Sequence, residues 1–175
     1  DNSKDDSVRQ IVDCVNSRGC VWDRSDGRLA TGRIRESLFT LILKTENGGP
    51  SVAKNAAIDY LLGKVDVFCV SDCDDILYPD KISRSLDVMD KYKHVALVYS
   101  DYDILNNKTG EKGRNFNEPF SLRRLAEECI VSNNSVVAMS AIDHIGMYDS
   151  KLRVAEDYDM WLRIAEIAAV YHIPL

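Results

Sequence analysis

An α/β fold built on a largely parallel sheet is predicted by a few observations. Apolar, strand-like runs alternate with amphipathic helical stretches along the chain. The run at 65–70, Val-Asp-Val-Phe-Cys-Val, is short, β-branched and apolar enough for a strand buried on both faces. That run and the later one at 95–99 lead directly into carboxylates. Parallel strands need right-handed crossovers, and ligands of such sheets gather outside the carboxyl ends of the strands.

The elements follow in order. Val8, Ile11, Val12 and Val15 recur at helical spacing behind the capping candidates Ser3, Asp5 and Asp6, so a helix opens the chain and Gly19 ends it. Residues 20–22 fit a short strand. The polar stretch 24–35, with Gly27 and Gly32, reads as a loop, and 38–44 as a strand. Asn47-Gly48-Gly49-Pro50 breaks the chain. Ser51 is the expected cap of a helix carrying Val52, Ala56, Ala57, Tyr60 and Leu61, which stops at Gly63. After the buried strand, Pro79 suits the first turn of a helix that buries Ile82, Leu86 and Met89. Residues 95–99 form another buried strand, and Asn106-Asn107-Lys108-Thr109-Gly110 a hairpin tip. The pattern then predicts a helix at 122–130, a strand at 136–139, a helix at 156–168 and a strand at 170–173.

The length of 175 residues, with 45% hydrophobic and 29% charged side chains, suits one folded domain and excludes a disordered chain. A net charge of −6, from 22 basic and 28 acidic residues, argues against a protein that coats a nucleic-acid backbone. It leaves room for a small phosphate-bearing ligand, because a divalent cation reverses the local sign of an acidic cleft. No apolar run approaches a membrane span and the start is no signal peptide, so a soluble chain is expected. Cys14, Cys20, Cys69, Cys73 and Cys129 are odd in number and scattered, which fits reduced thiols better than a disulfide framework or a zinc site.

Asp72, Asp74 and Asp75 follow the most apolar strand, and Asp101 and Asp103 the next. Carboxylates crowded at a strand end repel one another unless a cation joins them. Oxygen-only ligands favour magnesium or manganese, which take one or two carboxylates and fill their other positions with water and phosphate oxygens. A solvated acidic loop that caps the next helix explains the same residues, since Asp near a helix start is worth about 0.3–1 kcal/mol. The strand-end position alone does not separate the two.

The remaining motifs do. They run from Asn47-Gly48-Gly49-Pro50-Ser51-Val52-Ala53-Lys54-Asn55 through Asp72-Cys73-Asp74-Asp75, Tyr78-Pro79-Asp80-Lys81-Ile82 and Tyr99-Ser100-Asp101. Ile145-Gly146-Met147-Tyr148-Asp149 and Glu156-Asp157-Tyr158-Asp159-Met160-Trp161-Leu162-Arg163 follow. This order resembles the inverting nucleotide-sugar glycosyltransferases of family 2. The resemblance covers nearly the whole chain and implies a GT-A fold: a Rossmann-like, mixed, mostly parallel sheet flanked by helices.

It also implies roles. Asp1, followed by a short polar turn, reads the nucleobase. Lys54 stands where the family has Arg, keeping the charge but losing the fork geometry. Asp72 and Asp74 form the Asp-x-Asp motif, Asp72 contacting the ribose or assisting the metal and Asp74 binding Mn²⁺ or Mg²⁺ across the diphosphate. Cys73, between them, is read as packing, and Asp75 as a cap for the following turn. Asp157 is the general base that deprotonates the acceptor hydroxyl. Trp161 is read as core. The implied partners are a nucleotide-sugar donor, UDP-sugars first, and a saccharide or lipid-linked saccharide acceptor, with no nucleic acid. The implied place is the cytoplasm, extending to peripheral association with the inner face of the membrane.

Two alternatives stand beside this reading. Residues 68–77 also resemble the haloacid-dehalogenase phosphatase motif, with Asp72 as nucleophile and Asp74 as acid, although Asp75-Ile76 and the Glu156-Asp157 helix fit that family poorly. A non-catalytic nucleotide-sugar-binding subunit is the other, and the intact Asp74 and Asp157 do not require it. Residues 1–175 are expected to form a single GT-A-like domain, with the family's first strand, first helix and most of its second strand falling before Asp1. The charge of −6 is then partly a metal site counted without its metal.

Overall fold

The computed structural model describes residues 5–174. By internal contacts the chain divides into two compact units, Asp1–Tyr60 and Leu61–Leu175.

In the first unit, helix α1 (Ser7–Ser17) starts where Asp5 Oδ1 accepts the Ser7 N–H at 3.0 Å, one of the capping candidates. Ser3 lies outside the described residues. Gly19, at φ +76°, closes the helix, its N–H donating to Asn16 O at 2.9 Å. Strands β1 (Val21–Ser25), β2 (Leu29–Ile34) and β3 (Ser37–Ile42) then form an antiparallel sheet in sequence order. The loop expected at 24–35 is therefore two strand segments around a turn. The turn is chemical: Asp26 Oδ1 accepts the N–H groups of Arg28 (3.1 Å) and Leu29 (2.9 Å), with Gly27 at φ +82°. Exposed strands tolerate Arg and Asp on the solvent face, which is why polarity concealed them. A Cβ on Gly32 would sit 2.7 Å from Val21 O, so only glycine fits that crossing point.

Helix α2 (Gly49–Leu61) begins before the predicted cap. Asn47 Oδ1 takes the Gly49 N–H at 3.0 Å, and Ser51 lies buried inside the helix instead. Half-buried Lys54 rides on this helix.

In the second unit, β4 (Val67–Cys69), β5 (Val95–Ser100), β8 (Val136–Ala138) and β9 (Ala169–Ile173) form one sheet in the order β4-β8-β5-β9. β5 and β9 pair in parallel, and β8 is antiparallel to both β4 and β5. Strands β4, β5 and β9 thus run one way and β8 alone runs back between them, the mixed sheet that the resemblance implies. Helix α3 (Lys81–Lys91) packs on β5, α5 (Met139–Ile145) on β8, and α6 (Glu156–Ile167) on β5 and β9. The predicted tip at 106–110 joins hairpin strands β6 (Tyr102–Leu105) and β7 (Lys112–Asn115). Helix α4 (Leu122–Glu127) is shorter than its pattern, and α5 begins where a strand residue, Met139, was expected. Pro79 sits just before α3 rather than in its first turn.

Leu97, Tyr99, Leu125, Val136, Val137, Met160, Trp161 and Ile164 are essentially inaccessible and form the core of this unit. Trp161 is core, as its spacing predicts. None of the described helices is long and apolar enough to cross a membrane.

Candidate active site

The chain leaves β4 into an exposed turn, Ser71 to Asp75, in which the Asp75 N–H donates to Asp72 O at 3.0 Å. Asp72 and Asp74 are both exposed there, and so is Cys73, which corrects its reading as a packing residue. Register explains what faces the turn. Cys69 pairs with Val136, so the antiparallel β8 presents its beginning, not its end, at this edge of the sheet. The turn before β8 follows: Asn133 Nδ2 donates to Asp72 Oδ2 at 2.8 Å, and Cys69 Sγ donates to Asn134 O at 3.1 Å.

Asp157 enters from the first turn of α6, beside Glu156 and Asp159. Its Oδ1 accepts the Tyr158 N–H at 2.9 Å, so the helix N-terminus helps to stabilise the carboxylate. Ahead of it, Ala155 holds a left-handed conformation, φ +60° and ψ +26°.

Tyr148 lies in the segment between α5 and α6. Its ring is buried, and burial, then the charges of Asp157, Glu156, Cys69 and Asp72, push its phenol well above the ordinary value. Arg163 steadies this segment. It donates to Ile145 O (2.9 Å) and Met147 O (3.1 Å) and pairs with Asp159 (2.6 Å), tying the Ile145 to Tyr148 segment to α6.

Lys81 stands at the start of α3, its Nζ donating to Ser100 Oγ at 3.2 Å. Burial lowers its ammonium, while Cys69 and Asp75 act to raise it. A cavity of about 530 Å³ opens here, lined by Asp74, Lys81, Tyr78, Asp103 and Ile104 among others. Asp72 and Asp157 lie outside that lining.

Asp101 and Asp103 have protein partners. Asp101 is buried, accepts the Asn117 N–H at 2.8 Å and lies 2.8 Å from His172 Nε2. Asp103 is gripped by Arg114 at 2.7 Å and by the Tyr78 hydroxyl. These contacts hold it down at about 2, the Arg114 hydrogen bond first and the Tyr78 bond second. The carboxylates left facing solvent at the β4 end are Asp72, Asp74 and Asp75.

Among the described residues no group of three or more His, Cys, Asp or Glu is placed to hold a metal ion. The exposed, oxygen-only pair Asp72 and Asp74 fits a hard cation that draws only one or two ligands from protein and the rest from phosphate and water. Asp1 lies outside the described residues, and Lys54 belongs to α2. Residue patterns pointed to Asp72, Asp74 and Asp157 but gave no role to Tyr148 or Asn133. The polar turn Ser132-Asn133-Asn134-Ser135 between apolar runs was the available signal for Asn133. A rule that looks to the ends of parallel strands overlooks the start of an antiparallel one.

The exposed strand-end pair Asp72 and Asp74, with Asp72 held by Asn133, lies on a mixed sheet with one reversed strand. The model of the glycosyl transferase family 2 matches residues 1–145, and the chain belongs to that family. The match spans the Asp72 to Asp74 segment and so assigns it to a glycosyltransferase rather than to a phosphatase; the Glu156-Asp157 segment lies beyond it. An uncharacterized glycosyltransferase of Rickettsia prowazekii is 25% identical over 138 residues, 74% of this chain and 43% of that protein. The chondroitin synthase and the hyaluronan synthase of Pasteurella multocida are each 28% identical over 137 residues, 75% of this chain and 14% of theirs. The chain thus matches less than half the length of these relatives.

Proposed function

We propose that the chain supplies the donor-binding and catalytic part of an inverting glycosyltransferase that moves a sugar from a nucleotide-diphospho-sugar, a UDP-sugar first, to an acceptor hydroxyl. The observation that carries this reading is the family 2 match over residues 1–145, which spans the exposed strand-end pair Asp72 and Asp74, with Asp72 held by Asn133 Nδ2 at 2.8 Å. Asp157 takes the proton of the acceptor hydroxyl as its oxygen attacks the anomeric carbon. The bond from that carbon to the diphosphate breaks, its electron pair leaving with the phosphate oxygen. One in-line displacement inverts the configuration and needs no covalent enzyme intermediate.

Asp72, held by Asn133, orients the ribose, and Lys54 and Asp1 complete the nucleotide contacts. Asp74 would hold the divalent cation, Mn²⁺ or Mg²⁺, which when bound neutralises the departing diphosphate as a Lewis acid. Similarity to a chondroitin synthase and a hyaluronan synthase supports a saccharide acceptor and a place in polysaccharide or glycoconjugate synthesis.

The test is a thermal-shift and calorimetric screen of UDP, GDP, dTDP and CDP with and without manganese. Stabilisation by one nucleotide only when metal is present supports the reading and identifies the donor class. No response to any of them sinks it.

A further inference from the structure

The cavity of about 530 Å³ beside α3 has the size of a small-ligand site, and all of its lining belongs to the second unit. Of the residues given a part in transfer, Asp74 lines it, whereas Asp72 and Asp157 do not. The part of the donor that reaches it is therefore the part Asp74 serves, the diphosphate; the ribose and the acceptor hydroxyl lie outside. Three cations share the lining: Lys81, Arg84 and Lys112. Lys112 is exposed, and Arg84 reaches Asp80 at 3.9 Å. Half-buried Lys81 has a neutral partner instead, Ser100 Oγ at 3.2 Å, which also lines the cavity. That bond uses one of the three N–H donors of an ammonium. Asp75 acts on Lys81 as a charge, without a hydrogen bond among the described residues. Taking a cation partly out of water is costly unless an anion meets it. As the first residue of α3, Lys81 gains nothing from the helix either, whose N-terminal end favours acidic side chains.

We propose that Lys81 is a leaving-group residue, its Nζ donating a hydrogen bond to the diphosphate of the donor from the wall of this cavity. The inference rests on the glycosyltransferase reading above. As the bond to the anomeric carbon breaks, its electron pair stays on the phosphate oxygen, and the diphosphate gains a negative charge. Lys81 meets that charge with a hydrogen bond and keeps its proton. Asp72, Asp74 and Asp75 are all exposed at this end of the sheet and oppose a further anion. A positive group from the chain's own wall offsets them. Lysine suits the task, because its ammonium binds phosphate as a point charge. Leu77 and Ile104 in the same lining are apolar, and excluding water strengthens such a contact. Ser100 aims the amine and takes no part in the bond change.

The experiment compares the wild type with Lys81→Gln and Lys81→Arg by calorimetry in manganese. The probes are UDP, GDP, dTDP and CDP and the matching monophosphates, the weaker ones measured by displacement. The readout is the affinity of the best diphosphate divided by that of its monophosphate, a ratio that cancels contacts to base and ribose and any general loosening. Glutamine removes the charge, and the ratio falls about tenfold with the loss of a charge-assisted hydrogen bond. Arginine keeps the charge, and the ratio stays within about threefold of wild type. An unchanged ratio in Lys81→Gln overturns the inference, and so does an equal fall of the ratio in both variants. A ratio that saturating manganese restores overturns it too, because Lys81 then only supports the cation at Asp74. Failure of the wild type to bind any of the probes overturns the glycosyltransferase reading itself. Where Lys81→Gln does not fold, Lys81→Met takes its place with the same expected direction.

Discussion

Ala155 is the most strained residue near the site, a left-handed alanine at φ +60° immediately before Glu156 and Asp157. That conformation costs a non-glycine residue roughly 1–2 kcal/mol, and such costs persist where the surroundings hold a functional group in place. Glycine relieves the strain but adds freedom to the unfolded chain, about 0.5–1 kcal/mol. Ala155→Gly is therefore expected to stabilise the fold by about 0.5–1 kcal/mol in denaturant titrations, and an equal loss of stability would contradict the assignment. Asp157 itself makes the sharper claim. Asp157→Asn preserves shape and the acceptor oxygen for Tyr158 N–H but cannot take a proton. Transfer should fall by about 10²–10⁴-fold while donor affinity stays within about twofold. Unchanged turnover would assign the base elsewhere.

Two contacts between elements set how the site is held. Arg163 joins α6 to the segment after α5 through Ile145 O and Met147 O and shares its charge with Asp159. Truncation to alanine strips donors from partly buried carbonyls. Arg163→Ala is expected to cost about 1–3 kcal/mol and to expose Tyr148, read as increased quenching of its fluorescence. The β6–β7 hairpin has its own clasp, Asp103 with Arg114 and Tyr78. Asp103 is depressed to about 2 from an ordinary 3.8. A carboxylate depressed on folding contributes stability that is present above its unfolded value and is lost as pH falls through its folded one. Protection of the hairpin amides, taken relative to their intrinsic exchange rate at each pH, should therefore hold at pH 5 and fall between about pH 4 and pH 2; protection unchanged down to pH 2 would count against the clasp. The sequence pattern showed this hairpin through its Asn-Asn-Lys-Thr-Gly tip but misjudged residues 24–35. There the strand residues face solvent and carry Arg, Asp and Ser, so alternation was weak, and the Asp26-Gly27 turn was the better signal.

At the scale of the molecule, legibility followed burial. The core strands β4, β5 and β9 and helix α6 stood out because apolar periodicity survives wherever one face or both are covered; α3 shows the helical period too, although Ile82 and Leu86, expected to be buried, are exposed. The reversed β8 could be seen as a strand but not as an antiparallel one, since direction is set by neighbours and not by composition. That gap is why Asp72 and Asp74, at the end of β4, stand out in the sequence and Asn133, in the turn before β8, does not. The acidic total has a consequence at the same scale. With a net charge of −6 and exposed carboxylates clustered after β4, a divalent cation and a nucleotide diphosphate should stabilise the fold jointly. At 100 times the dissociation constant the linked gain is about 2.7 kcal/mol. Asp74→Asn should leave the ligand-free melting temperature nearly unchanged, because substitutions at exposed loop positions usually fall within about 0.5 kcal/mol. The same change should abolish the metal-dependent part of the nucleotide shift, since the amide cannot replace a charged ligand to the cation. A variant that melts as the wild type does both alone and with nucleotide plus manganese would move the metal away from Asp74. A shift that manganese never influenced in the wild type would remove the cation from the reaction.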